Sequence, residues 1–272
     1  MRPRIRSVYA WEVRKLLAQK RTYIGIGAAA LLPTMFVIVM SLQKGGPYDA
    51  PLGMNLRHTG MSLPLVVLNF TALFGAPLVA ALVAGDIVAT EQTTGTLKMI
   101  LTRSLRRSQI ITAKTLAAAT YTVAISAALL VAGLIGGVSA WGFHPLVDLS
   151  GHTMSAGAAL GTTVAALGLF TAPLLAIAAF GVFLSVVTRN SAAAIVGTLV
   201  YQLAQEAIGG LVHVHAVKTY VLSAQFTAWH GLFQTPTDWT TITRSLWVSA
   251  IYAVIPLAAG YWAFARRQVA GD

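Results

Sequence analysis

Glu91-Gln-Thr-Thr-Gly-Thr-Leu-Lys-Met-Ile-Leu-Thr-Arg-Ser-Leu-Arg-Arg107 is a short charged island between two long apolar runs, Leu63–Ala84 and Leu116–Val138. Each run exceeds the ~18–20 residues that a helix needs to cross the hydrocarbon core of a bilayer. The island therefore marks a place where the chain leaves a membrane and re-enters it. The rest of the chain agrees. Of 272 residues, 56% are hydrophobic and only 10% are charged, against roughly 25% charged in a soluble domain. Four further apolar runs are present: Tyr23–Leu42, Thr162–Val187, Ser191–Leu211 and Leu246–Ala265. Lipid offers no partner to an exposed backbone amide, and no barrel-type alternation is visible, so the runs are expected to be helices. The expectation is an all-α membrane protein with six transmembrane helices in one domain over residues 1–272. Its extramembrane parts are a basic arm at 1–22, the charged connection at 85–115 and a long segment at 212–245.

The chain carries 19 Lys and Arg against 8 Asp and Glu, and where the cations fall decides what they mean. Six spans put both termini on one side. Fifteen of the cations share that side: seven from Arg2 to Arg21, five from Lys98 to Lys114, then Arg189, Arg266 and Arg267. Only Lys44, Arg57, Lys218 and Arg244 fall opposite. Such a bias places the termini and the island in the cytoplasm and explains the charge by topology, without nucleic acid as a partner. No cysteine is present, so disulfides and thiolate metal sites are excluded. The first apolar run is longer than the 7–15 residues of a cleaved signal and is expected to stay as a span.

Arg4 to Leu17 reads as an amphipathic helix. Ile5, Val8, Tyr9, Val13, Leu16 and Leu17 share about half a turn, with Arg4, Arg14 and Lys15 on the other side. A helix of this kind is expected in the inner interface with its cations near head groups. Glu12 interrupts the apolar arc. Its carboxylate either finds a cation, from the island or from a partner subunit, or snorkels to the head groups. Pro77 and Pro173 lie mid-run and are expected to kink their helices. Gly133/Gly137 and Gly157/Gly161 have the Gly-x-x-x-Gly spacing that permits close helix approach.

Within the island, Leu97, Met99, Ile100, Leu101 and Leu105 alternate with Lys98, Arg103 and Arg106. This fits one or two short amphipathic helices, with Thr94 and Thr96 as candidate caps. Such a hairpin is too small for its own core and must rest on the membrane or in a groove of another protein. Glu91, then Gly95-Thr96-Leu97, the pair Ile100 and Leu101, Arg106 and finally Lys114 resemble the corresponding connection in type-2 ABC transporter permeases. The proline usual after the coupling helix is absent, replaced by Arg103-Ser104-Leu105. The layout resembles that family over most of the chain, including the amphipathic first helix, an elbow helix carrying Glu12 and Lys15.

The resemblance implies a coupling role for Glu91, Gly95, Thr96, Leu97, Ile100, Leu101 and Arg106. It also implies cytosolic ATPase partners that carry the ATP and Mg, a second permease copy, and a bacterial inner membrane. The chain has no Gly-x-x-x-x-Gly-Lys-[Ser/Thr] loop of its own, so no ATP hydrolysis or other enzyme activity is expected of it.

Gln202, Gln205 and Glu206 interrupt the fifth run. Gln202 and Glu206 share a face at i and i+4, and ionisable groups inside membranes usually face a cavity or partner. They either line a path or a permease interface, or the span ends earlier and Glu206 sits among outer head groups. All six histidines fall on the outer side. His213 and His215 have a metal-compatible spacing but no supporting cluster. Phe226, Trp229, Phe233 and Trp239 form either an interfacial belt or a re-entrant segment at the exit. A secondary transporter or channel remains the main alternative function. It is disfavoured by the scarcity of mid-membrane ionisable groups.

Overall fold

The computed structural model describes residues 5–42, 52–93, 106–211 and 214–266. Among the described residues, four helices are long and apolar enough to cross a membrane: α2 (Lys20–Leu42), α6 (Arg107–Trp141), α7 (Ala156–Thr188) and α11 (Trp239–Ala265). The pair Ser62–Thr71 and Gly75–Thr93 makes one more if its two parts form a single broken span, bent by 65°. The chain is thus an all-α membrane-embedded protein. The Ser191–Leu211 helix, α8, has 21 residues, about 30 Å at 1.5 Å per residue, but it carries Gln202, Gln205 and Glu206 and is not among the helices apolar enough to qualify. The only sheet among the described residues is a hairpin, β1 (Leu146–Val147) paired antiparallel with β2 (Thr153–Met154).

The broken span differs from the kink expected at Pro77. Helix α3 (Ser62–Thr71) ends, and α4 (Gly75–Ala84) starts again after Phe74. Pro77 therefore stands in the first turn of a new helix, where a missing N–H costs nothing. Pro64 occupies the same kind of position in α3. Pro173 does lie inside a helix, as do Pro33 and Pro256.

Helix ends follow their sequences. Asp238 caps α11, its carboxylate accepting from the Thr240 and Thr241 N–H groups at 3.1 and 3.2 Å. Ser155 accepts from Ala158 N at 3.3 Å at the start of α7. Arg189 closes α7 in the left-handed region at φ 56°, and Asn190 then accepts from Ala193 N at 3.0 Å to open α8.

The core sits where α3, α4 and α6 meet α7. It includes Leu65, Leu68, Ile110, Ile111, Phe170 and Ile177, all fully or almost fully buried. Gly60 and Gly137 let the chain approach α6 closely: a Cβ on Gly137 would lie 2.2 Å from the Gly60 carbonyl oxygen. Gly133 meets Pro64 in the same way. Gly157 and Gly161 face open space, so only the first of the two glycine spacings is used within the chain.

The outer aromatic residues are not a belt. Phe226, Trp229 and Phe233 are fully buried, and Phe226 meets Phe170 edge-on with 5.2 Å between ring centroids. Phe226 follows a short helix (Leu222–Gln225), and Trp229 and Phe233 lie in a 3-10 turn (Ala228–Phe233), both packed between α7 and α11. Burial holds His230 neutral, its pKa pushed down to about 4. The hairpin clamps this segment. Asp148 accepts from the Thr235 hydroxyl at 2.7 Å and from the backbone N–H groups of His152 and Ser150 at 2.7 and 2.9 Å. Burial works against the Asp148 carboxylate, but these bonds outweigh it and hold its pKa below the usual value. Trp239 remains exposed.

Candidate functional site

At the end of the molecule that holds the start of α2 and of α6, ionisable side chains are buried together. Helix α6 turns Ile110, Ile111, Ala113, Lys114, Ala117, Ala118 and Tyr121 inward, a stripe at helical spacing. Lys114 lies in the middle of that stripe and is 0% exposed. A buried ammonium is tolerated only when it is paired and its three donors are used. Lys114 Nζ lies 2.7 Å from Glu91 Oε1, 3.1 Å from Glu12 Oε1 and Oε2, and 3.1 Å from the Ile87 carbonyl oxygen.

Each partner comes from a different element. Glu12 belongs to α1 (Ile5–Leu17), whose inward stripe is Val8, Glu12 and Leu16. Val8 and Leu16 of the apolar arc pack with Glu12 against α6, while Ile5 and Leu17 at its ends stay exposed. Trp11 and Arg14 remain on the outer side. The Glu12 carboxylate is thus paired rather than snorkelling. Burial raises its pKa, with Lys114 opposing and Glu91 reinforcing the rise.

Glu91 sits in the single-turn helix α5 (Ala89–Thr93) and also pairs with Lys15. Ser185 Oγ of α7 positions that turn by accepting from the Val88 and Ala89 N–H groups at 3.1 and 2.9 Å. A second ion pair, Arg21 with Asp86, adjoins the first, and the hydroxyls of Thr90 and Ser191 donate to Asp86. Thr22 Oγ1 donates to the Leu16 carbonyl at 2.6 Å and fixes the corner between α1 and α2. Three carboxylates (Glu12, Asp86, Glu91) thus face three cations (Lys15, Arg21, Lys114). A small polar cleft between them is lined by Gln19, Arg21, Asp86, Thr90 and Glu91, among others.

Of the residues singled out in the island, Gly95, Thr96, Leu97, Ile100 and Leu101 lie outside the described residues. Glu91 is 2% exposed and turned inward, so its carboxylate acts within the chain. Arg106 is exposed at the start of α6, where its backbone N–H donates to Gln109 Oε1 at 3.1 Å. Its neighbour Arg107 donates to the Ala265 carbonyl at 3.0 Å and so ties the island's exit to the last helix. Residues 107–115, read as part of the connection, are the first turns of α6.

Asp86, Arg21, Ser185 and Ser191 were not anticipated. In a chain with only 8 acidic residues, a carboxylate at the end of an apolar run, as Asp86 is, was the available signal. Among the described residues no group of three His, Asp or Glu could hold a metal. His213 and the side chain of His215 fall outside them.

The polar residues of α8 form a separate group. Gln202 and Gln205 are buried, and Glu206 is half-buried. Gln202 Nε2 donates to Glu206 Oε1 at 3.1 Å and reaches the Ala72 carbonyl at 3.5 Å. Ala72 lies in the break between α3 and α4. Gln205 Oε1 accepts from Leu222 N at 3.3 Å and so holds the outer segment. The helix continues to Leu211, so α8 does not end before Glu206.

No curated protein matches the chain. Residues 26–270 match a family model described as "Protein of unknown function (DUF2705)", which leaves out α1, the start of α2 and the last two residues. Since that match covers nearly the entire chain, the protein belongs to the DUF2705 family.

Proposed function

We propose that the chain is the membrane-spanning permease subunit of an ATP-driven exporter, coupled to separate cytosolic ATPase subunits. In this reading it spans the membrane six times, with α3–α4 and α8 as the second and fifth spans and both termini in the cytoplasm. It works beside a second copy of itself in a bacterial inner membrane.

The observation that supports this most is the Glu12–Lys114–Glu91 network. Glu91 stands just before residues 94–105 and Lys114 shortly after them, and both are fastened to α1. A push on that segment is then delivered to α1, α2 and α6 as one body rather than absorbed by a loose loop. In this role Glu91, Glu12 and Lys15 are positioning residues, and Gly95, Thr96, Leu97, Ile100, Leu101 and Arg106 supply the contact with the ATPase. The charge distribution and the resemblance of the island add to this support.

Affinity purification of the tagged chain from its native membrane, followed by mass spectrometry, tests the reading. A stoichiometric partner with a phosphate-binding loop is the expected result. Repeated absence of any ATPase under mild conditions would overturn it. A second reading, a carrier without an ATPase, is favoured by one feature, the broken span beside Gln202 and Glu206, because discontinuous helices often frame ion and substrate sites.

A further inference from the structure

Gln202 is 1% exposed, and its amide is only half used. Its Nε2 bridges Glu206 and the Ala72 carbonyl, while its Oε1 is buried with no donor. An unsatisfied buried acceptor is costly and, when a carboxylate lies on the same amide's other end, marks a place where a donor belongs. Glu206 accepts from Gln202, and among the described residues no cation is paired with it. The third acceptor, Ala72 O, lies in the helix break, where the helical ladder is interrupted, and its contact with Gln202 is long at 3.5 Å.

We propose that Glu206, Gln202 and the Ala72 carbonyl form a binding site for a protonated amine that carries an apolar body. The ammonium supplies what the site lacks: a positive charge for Glu206 and N–H donors for Gln202 Oε1 and Ala72 O. The apolar body follows from the side chains that flank Glu206. Glu206 lies at the edge of the buried face of α8, and the residue one turn before it on the outer side, Leu203, is 46% exposed, with Val200 and Ile208 also exposed. A ligand entering from that side meets hydrocarbon. A hydrated alkali cation has nothing to place there, whereas an amphiphilic amine leaves its chain among these residues. The inference rests on the exporter reading for the direction of movement, but binding itself does not.

The test uses the full chain, without ATPase, in nanodiscs of neutral phosphatidylcholine. Dodecylamine, dodecyltrimethylammonium and dodecanol are titrated by calorimetry at pH 7 against empty discs. Saturable binding of dodecylamine is expected, weakened by about tenfold in Glu206→Gln, the effect of losing one charge-assisted contact, and largely retained in Glu206→Asp. Gln202→Leu reads the same site through selectivity and should erase the preference for the primary amine over its trimethyl analogue. Equal binding by wild type and Glu206→Gln would overturn the proposal. So would dodecanol binding with the same dependence on Glu206, or displacement of dodecylamine by millimolar sodium. Because no ATPase takes part, a failure here leaves the exporter reading standing, and a missing ATPase leaves the amine site standing.

Discussion

Lys114 Nζ lies 2.7 Å from Glu91 Oε1, so the two flanks of the charged island are joined inside the protein. The contact is fully buried on both sides, and a third residue, Glu12, joins it from α1. Buried pairs of this kind add little net stability over an apolar replacement, but breaking one from a single side is costly.

The network therefore predicts a non-additive mutant cycle. Lys114→Met leaves Glu12 and Glu91 facing each other and should destabilise the protein by about 3–5 kcal/mol. The triple change Lys114→Met, Glu12→Leu, Glu91→Leu should be milder than the single one. Thermal unfolding of the purified variants in detergent decides this. A single variant as stable as wild type would mean that the cluster is not formed.

The pH dependence has a definite sign at Glu12. Its folded pKa lies above the ordinary 4.5, so its contribution to stability is fully present below 4.5 and is lost as pH rises through the raised value. Glu12→Gln removes that titration. The variant should gain on wild type as pH climbs from 4.5, then run parallel to it. A gain on lowering the pH instead would contradict the burial-driven shift.

Ser185 offers a test of how the island is held. Ser185→Ala removes the acceptor of two backbone N–H groups at Val88 and Ala89 and should cost about 1–2 kcal/mol locally, like the loss of a helix cap. Hydrogen exchange at those amides should accelerate while the core of α7 stays protected. Unchanged exchange at 88 and 89 would show that the serine does not hold the turn.

The two glycine spacings should behave oppositely. Gly137→Ala drives a methyl into the Gly60 carbonyl, and Gly60 is itself held by its N–H bond to the Gly142 carbonyl at 2.9 Å. A loss of about 1–3 kcal/mol is expected from overpacking. Gly161→Ala meets nothing within 4 Å and should stabilise the isolated chain slightly, by up to about 1 kcal/mol through helix propensity. Melting curves of the two variants side by side check the pair.

The helical membrane class was legible because apolar length and scarcity of charge are local properties. Glu12 was legible as a residue needing a partner, since a carboxylate in an apolar arc is conspicuous. A cation from the charged connection was one of the partners expected for it, but which one was not legible, because Lys114 is 102 residues away and periodicity within each segment says nothing of contacts between them. The break at Ala72–Phe74 was missed for a related reason. No glycine or proline marks those three residues, and Pro77 drew attention to the wrong place. The neighbouring α8, whose Gln202 reaches the freed carbonyl, is tertiary information. The buried Trp229 and Phe233 show the same limit, since aromatic composition does not distinguish an interfacial belt from a packed segment.

The order in which the network's members are made has a consequence for biogenesis. Glu12, Lys15, Arg21, Asp86 and Glu91 all precede Lys114 in the chain. Until Lys114 leaves the ribosome, three carboxylates share two cations, and α1 has neither the ammonium nor the helix against which its inner stripe packs. Helix α1 is thus made well before α6 but docks only once α6 is present to receive it. A nascent chain stalled before residue 114 should hold α1 loose and open to proteases, and one released beyond it should close over the site in a single step.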